Sequence, residues 1–268
     1  MTKKRILFIS QEIAPYISSN PAASLGRQLP TTMQSKGFEV RTFMPKFGAV
    51  NERRNQLHEV IRLSGMNIVI NDNDHPLIIK VASLQPSRIQ VYFIDNDDFF
   101  QKLDSDADHS GSNRGDNDER AIFFARGAME TAKKLRWDPF VIQCSGWITA
   151  LVPLYLKKFY SDDPSFKTSH VVYNITEGSV PAQIDPAIIA KLKADGFTQR
   201  DLKKLQPNLE DPMFLHKTAI ENSHAVIISD PNASQELIEY VKASGKPYLI
   251  ANECEPDMEA YNQFYNSL

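Results

Sequence analysis

The sequence predicts an α/β domain: a mostly parallel β-sheet with helices on both faces and a β-hairpin extension. Three observations lead there. Short apolar runs of strand length alternate with segments of helical spacing along most of the chain. A strand, a helix and a second strand follow one another at the start, a βαβ unit for which a right-handed parallel crossover is expected. Between residues 57 and 95 the rhythm changes to β-rich runs separated by short polar turns.

ILFIS, at 6–10, has the length and composition of a buried strand. Asn20 supplies a helix N-cap and Pro21 a first-turn proline, and the helix ends near Lys36 and Gly37. FEVRTFMP (38–45) reads as the next strand. HEVIRLSG, MNIVIND, LIIKVASL and RIQVYFID then form the hairpin extension. QKLDSDADHSGSNRGDND (101–118) has almost no apolar residues; it reads as a mobile loop of the kind that borders a site, although a plain solvated loop has the same composition. Residues 118–137 have helical apolar spacing and basic residues in the last turns, which complement the helix dipole.

DPFVIQCSGW is strand and turn, WITALVPLYLKKFY a helix with Pro153 early in it, and SHVVYNIT a strand. PAIIAKLKADG, QRDLKKLQ and PMFLHKTAIEN are candidate helices expected over the sheet edge. AVIIS, a helix over NASQELIEYVKAS and PYLIAN add strand, helix and strand, followed by a short acidic tail with tyrosines that could be helical.

Several function classes find no support. A net charge of −3 gives no broad attraction for nucleic acid or an anionic membrane, so neither is expected as a partner. No apolar run approaches the roughly 18 residues of a membrane span, and MTKKRILFIS runs into QEIAP without a cleavage-type segment. Cys144 and Cys254 lie far apart and have no metal-ligand spacing, so a reducing cytoplasm and two free thiols are expected. The six histidines are scattered, and no Walker A, H-E-x-x-H, G-x-S-x-G or G-x-G-x-x-G pattern occurs. No metal and no cofactor are expected.

At several separate places the chain resembles the N-terminal domain of bacterial starch and glycogen synthases, the family-5 glycosyltransferases. That family opens with a strand, E-(I/V)-x-P-(F/Y), K-T-G-G-L-x-D-V and a leucine-proline pair; Glu12, Ala14, Pro15, Tyr16, Leu29 and Pro30 fit it without gaps. RTFMPKFG, VYFIDNDDFF, DNDERAIFFARGA, the apolar frame of DPFVIQCSGWITALVPLYLK, and LHKTAIENSHAVIIS are similar to later family segments. The resemblance implies a Rossmann-like fold, the N-terminal half of a GT-B enzyme. The family reaction it implies is glucosyl transfer from ADP- or UDP-glucose to an α-1,4-glucan.

The departures fall where that family meets its substrates. Ser18, Ser19, Asn20 and Pro21 stand at the K-T-G-G positions, so the lysine charge and both glycines are replaced, and Pro21 has no N–H to offer a phosphate. Ser24 stands at the following aspartate. The H-x-H-D-W turn reads Gln143, Cys144, Ser145, Gly146, Trp147, and the strand ending T-I-H-N ends Asn174, Ile175, Thr176, Glu177. The family's second Rossmann domain would begin near residue 268, so one domain over 1–268 is expected.

The resemblance therefore makes Ser18, Ser19, Asn20 and Ser24 the candidate donor-phosphate loop, in degenerate form. Glu12, Tyr16, Asp95, Asp116, Asn117, Arg120, Ser145, Trp147 and Thr149 are candidates for a shared sugar pocket at the carboxyl ends of parallel strands. Each also has an ordinary structural role open to it: strand-end turns for Glu12 and Asp95, a helix-start pair for Asp116 and Arg120, core packing for Trp147. No confident catalytic residue emerges. The expected protein is a synthase-like domain with little or no standalone transfer. The alternatives are a non-catalytic glucan- or nucleotide-sugar-binding regulatory module, and one half of a two-chain transferase. A protein partner in glycogen metabolism fits either.

Overall fold

The computed structural model describes residues 3–17, 20–101, 112–176, 184–203, 205 and 209–268. Ile6, Leu7, Phe8 and Ile9 are each 1% exposed or less. A strand apolar at every position has no face to give to water and must be covered on both sides. Strand β1 (Arg5–Ser10) accordingly runs through the middle of the sheet, parallel to β2 (Glu39–Pro45) on one side and β7 (Val141–Ser145) on the other. Between β1 and β2 lies α1 (Pro21–Ser35). The Asn20 side chain caps it by accepting from the Ala23 N–H at 2.7 Å, and Pro21 sits where a missing N–H costs nothing.

After β2 come α2 (Glu52–Asn55), β3 (His58–Glu59), β4 (Met66–Ile70), β5 (Asn73–Leu84) and β6 (Ile89–Asp95). Strand β6 lies parallel to β2, while β5 is antiparallel to β6 and carries β3 and β4 antiparallel to itself. The hairpin extension is therefore present, with one run shortened. Of HEVIRLSG only His58 and Glu59 pair, because the Leu63 and Ser64 N–H groups turn back onto the Val60 carbonyl before the ladder can lengthen.

A π-turn (Asp97–Gln101) and α3 (Asn117–Lys134) lead to β7. The segment 147–160, which reads as one helix, forms three pieces: a 3₁₀ turn (Trp147–Thr149), α4 (Val152–Tyr155) and a π-turn (Leu156–Tyr160). Pro153 has no N–H for the carbonyl four residues back, so a fresh helix starts around it. The rest is β8 (His170–Ile175), α5 (Ile188–Ala194), α6 (Gln199–Leu202), α7 (Phe214–Asn222), β9 (Ala225–Ile228), α8 (Gln235–Ala243), β10 (Tyr248–Ile250) and α9 (Met258–Ser267). Helix α7 packs on β8, an interior strand, rather than over an edge, because Phe214, Leu215, His216, Ala219 and Ile220 are all buried. The tail is a packed helix, capped by Asp257, with Tyr261 and Tyr265 fully buried one turn apart.

The strand order is β10-β9-β8-β7-β1-β2-β6-β5-β3, with β4 attached to β5, and every pair from β10 to β6 is parallel. Helix α3 packs on α4 and α4 on α7, while α1 packs with α9. The chain steps outward from β1 to β2 and β6, then returns to the far side of β1 as β7. Such a reversal opens a crevice beyond the carboxyl ends of β1 and β7, where ligands of open α/β sheets bind. Most of the loop at 101–118 lies outside the described residues, as do Ser18 and Ser19. No helix among the described residues is long and apolar enough to cross a membrane.

Candidate functional site

The crevice holds a cavity of ≈ 110 Å³. That is the space of three or four water molecules at about 30 Å³ each, suited to one end of a ligand rather than a whole nucleotide. Ser10, Gln11 and Glu12 reach it from the end of β1, Asn20 and Gly26 from α1, Gln143 and Ser145 from β7, and Asn174 and Thr176 from β8.

Two glycines allow this convergence. A Cβ on Gly26 would stand 2.4 Å from the Glu12 carbonyl oxygen, so α1 presses directly on the turn after β1. Gly146, at φ +89, would put a Cβ 2.6 Å from the Gln11 Cβ. The Gln11 N–H donates to the Ser145 carbonyl at 2.9 Å, which ties the ends of β1 and β7 together.

The polar lining is neutral apart from Glu12. Ser145 Oγ accepts from Gln143 Nε2 at 3.1 Å and from Asn174 Nδ2 at 3.4 Å. Glu12 Oε2 accepts from Asn20 Nδ2 at 2.5 Å. Gln11 is 9% exposed, and among the described residues its Oε1 has no hydrogen-bond partner. A buried amide oxygen left unanswered costs free energy unless a ligand or water completes it. No lysine, arginine or histidine is among the described residues lining the cavity.

Of the predicted site residues, Glu12, Asn20 and Ser145 meet at this cavity and the other described ones do not line it. Ser24 lies one turn along α1, its N–H bonded to the Asn20 carbonyl. Tyr16 is buried edge-on against Phe93, and burial pushes its hydroxyl up to about 12. Asp95 is 1% exposed and belongs to a closed set of charges: Lys80 Nζ lies 2.9 Å from Asp95 and 2.8 Å from Glu52, Lys46 Nζ 2.9 Å from Glu52, and Gln101 bridges Lys46 to Asp95. Burial alone would raise the Glu52 carboxyl, but Lys80 and Lys46 hold it below its ordinary value.

Asp116, partly exposed, binds Arg114 through both oxygens; burial raises its carboxyl, and the Arg114 hydrogen bonds and charge outweigh that and lower it. Asn117 and Arg120 are buried, with Arg120 Nε donating to the Phe99 carbonyl and Nη1 to Asn117. The Arg120 guanidinium stands 5.7 Å from the Trp147 ring centre. Trp147 and Thr149 are 0% exposed, and Thr149 Oγ1 donates to the Gly146 carbonyl. Of the nine pocket candidates, only Glu12 and Ser145 line this cavity. A sugar platform needs an open ring face, which Trp147 lacks, and Arg120 and Thr149 spend hydrogen bonds on the backbone that shapes the turn.

The family model for the starch synthase catalytic domain matches residues 5–250. The chain belongs to the starch synthase catalytic domain family. It is 35% identical over 185 residues to the glycogen synthase of Chlorobium limicola, covering 67% of this chain and 38% of that one. It is 30% identical over 250 residues to the glycogen synthase of Chlorobaculum parvum, covering 89% and 50%. The catalytic domain of starch synthase IV from Arabidopsis thaliana, bound to ADP and acarbose, has the same fold, with TM-score 0.73 and 17% identity over 97% of this chain and 53% of that one. The chain thus spans about half or less of these relatives' length.

In this starch synthase family member, Gln143, Asn174 and Thr176, which stand where the sequence departs from the family pattern, line the cavity together with Gln11, which the sequence did not single out. A polar residue directly after the apolar run of β1 was the available signal for Gln11. Cys144, between two cavity residues, points away into the core, and complete burial pushes its thiol up, against reactivity. Among the described residues no group of three or more His, Cys, Asp or Glu could hold a metal ion.

Proposed function

We propose that this domain binds the end of a neutral α-glucan in the cavity between β1, β7 and β8, and does not transfer glucose by itself. The observation that carries this is the lining: amides, hydroxyls and one carboxylate beside an apolar wall of Phe8, Leu25, Leu29 and Pro30, with no cation among the described residues. Sugar hydroxyls both donate and accept, so they can answer Ser145 and Glu12 together. A diphosphate brings acceptors and negative charge only, and meets the Glu12 carboxylate instead of a lysine. The relative whose structure carries ADP and acarbose supplies both ligand types for consideration, and the lining chemistry here favours the carbohydrate. In glycogen metabolism such a domain acts as a glucan-binding, regulatory module.

Calorimetry with maltotriose, ADP-glucose and UDP-glucose, combined with radiolabelled glucosyl transfer to glycogen, tests it. Binding of maltotriose without transfer is the expected outcome; turnover by the pure chain overturns it. A second reading, one half of a two-chain transferase, is favoured by the coverage of half or less of the glycogen synthase relatives. Co-purification of a chain carrying the remaining half, with transfer only in the complex, would replace the first reading.

A further inference from the structure

Two arms of hydrogen bonds run from α9 to Ser145. On one, Tyr265, packed on Phe8, donates its hydroxyl to Gln143 Oε1, and Gln143 Nε2 donates to Ser145 Oγ. On the other, Ser229 Oγ donates to Asn174 Oδ1 at 2.7 Å, and Asn174 Nδ2 donates to Ser145 Oγ. Ser229 has one proton and has spent it, so in its 2.7 Å contact with the Tyr261 hydroxyl the tyrosine is the donor. Every donor in both arms therefore points toward Ser145. A serine hydroxyl has two lone pairs and one proton. Both lone pairs accept here, and among the described residues no acceptor takes the proton. The cavity that Ser145 lines is what remains for it.

We propose that α9 sets the hydrogen-bond polarity of the cavity: Tyr261 and Tyr265 are positioning residues that make Ser145 a dedicated, specificity-determining donor. Glu12, whose carboxylate oxygens only accept, lines the same cavity. A ligand that satisfies both offers an acceptor and a donor hydroxyl, as a sugar does. That ligand class rests on the glucan reading above; the direction of the Ser145 proton does not.

The test has two arms. In the ligand-free protein, the side-chain amide signals of Gln143 and Asn174 are followed by NMR in Tyr265→Phe and Tyr261→Phe, which keep the rings and remove one proton each. Tyr265→Phe is expected to shift the Asn174 signal, across Ser145 on the other arm, and Tyr261→Phe that of Gln143. Tyr240→Phe, whose hydroxyl meets Glu221, shifts neither. Signals unmoved in both cavity variants overturn the positioning role whatever the sugar data show. If either tyrosine variant fails to fold, the other carries this arm.

In the second arm, maltotriose affinity is expected to fall about tenfold in Ser145→Ala and about fivefold in each tyrosine variant, the scale of one neutral hydrogen bond. Monodeoxyfluoro maltosides, whose fluorine accepts but cannot donate, should be tolerated better than monodeoxy ones at the contacted position in wild type, and equally in Ser145→Ala. Undiminished binding by Ser145→Ala overturns the donor role. A wild-type protein that binds no maltooligosaccharide sinks the glucan reading, while the spectra still decide the polarity.

Discussion

Beside β2 and β6, Lys46, Glu52, Lys80, Asp95 and Gln101 close on one another, each carboxylate meeting an ammonium within 2.9 Å. Between β1, β7 and β8, Gln11, Gln143, Ser145 and Asn174 border an open space and leave an amide oxygen unanswered. Both sets hold polar residues carried by, or packed beside, strands of one sheet. The difference is that the first has partners of opposite charge that draw its members together, whereas the second has neutral groups spaced around a gap.

The comparison breaks most visibly at the charged region. Asp95→Ala leaves Lys80 and the 4% exposed Lys46 to share the single Glu52 carboxylate, and is expected to cost about 3 kcal/mol in urea unfolding. Maltotriose affinity should be unchanged; a matching loss of affinity would merge the two regions into one site.

Acid separates the regions further. His216 lies buried against the Tyr173 hydroxyl, and burial lowers its ring pKa from 6.5 to about 4. The unfolded chain takes up this proton below about pH 6.5 and the fold only near 4, so the stability it contributes is intact above 6.5 and lost as pH falls toward 4. Between pH 7 and pH 5 wild type should lose about 2 kcal/mol more than His216→Asn. Glu52, held low by its lysines, adds a loss at still lower pH. The amides and hydroxyls of the cavity do not titrate, so Gln11 and Ser145 should bind alike at pH 7 and pH 5, as calorimetry would register.

Combining Ser18→Lys, Ser19→Thr, Asn20→Gly and Pro21→Gly removes the α1 cap and its proline, for a cost of about 1 kcal/mol. It also restores the cation and the backbone N–H groups that the family pattern carries at these positions. Affinity for ADP-glucose should rise from undetectable; wild type binding it as tightly as this variant would refute the assignment of that loop as a lost phosphate site. The smallest effect is expected from Glu12→Gln, below about 0.5 kcal/mol in stability. Its acceptor oxygen still meets Asn20 while its charge is gone, so weak nucleotide binding appearing in this variant would sharpen the electrostatic part of the contrast.

The βαβ start was legible because each signal was local: an all-apolar ILFIS has to be buried, and Asn20-Pro21 caps and opens a helix by its own chemistry. Glu12, Asn20 and Ser145, which adjoin such signals, line one cavity. Asp95, Trp147 and Arg120 were grouped with them because they lie in segments similar to the family's, and a place in the sequence does not say which way a side chain turns. The helix at 258–267 was hardest to place, since its two inward tyrosines sit in an otherwise polar stretch and acquire meaning only from Gln143 and Ser229, 122 and 32 residues away.

The sequence by itself determined the order of strands and helices, the cap at Asn20 and the absence of a cation from residues 18–21, because these depend on neighbours a few residues apart. Only the tertiary structure decided that Asp95 is spent on Lys80, that Trp147 lies under Arg120, and that Ser145 receives two hydrogen bonds and keeps its proton for the cavity. Hydrogen bonds and ion pairs require groups within about 3 Å, and which distant residues come that close is set by how the sheet brings its strands together.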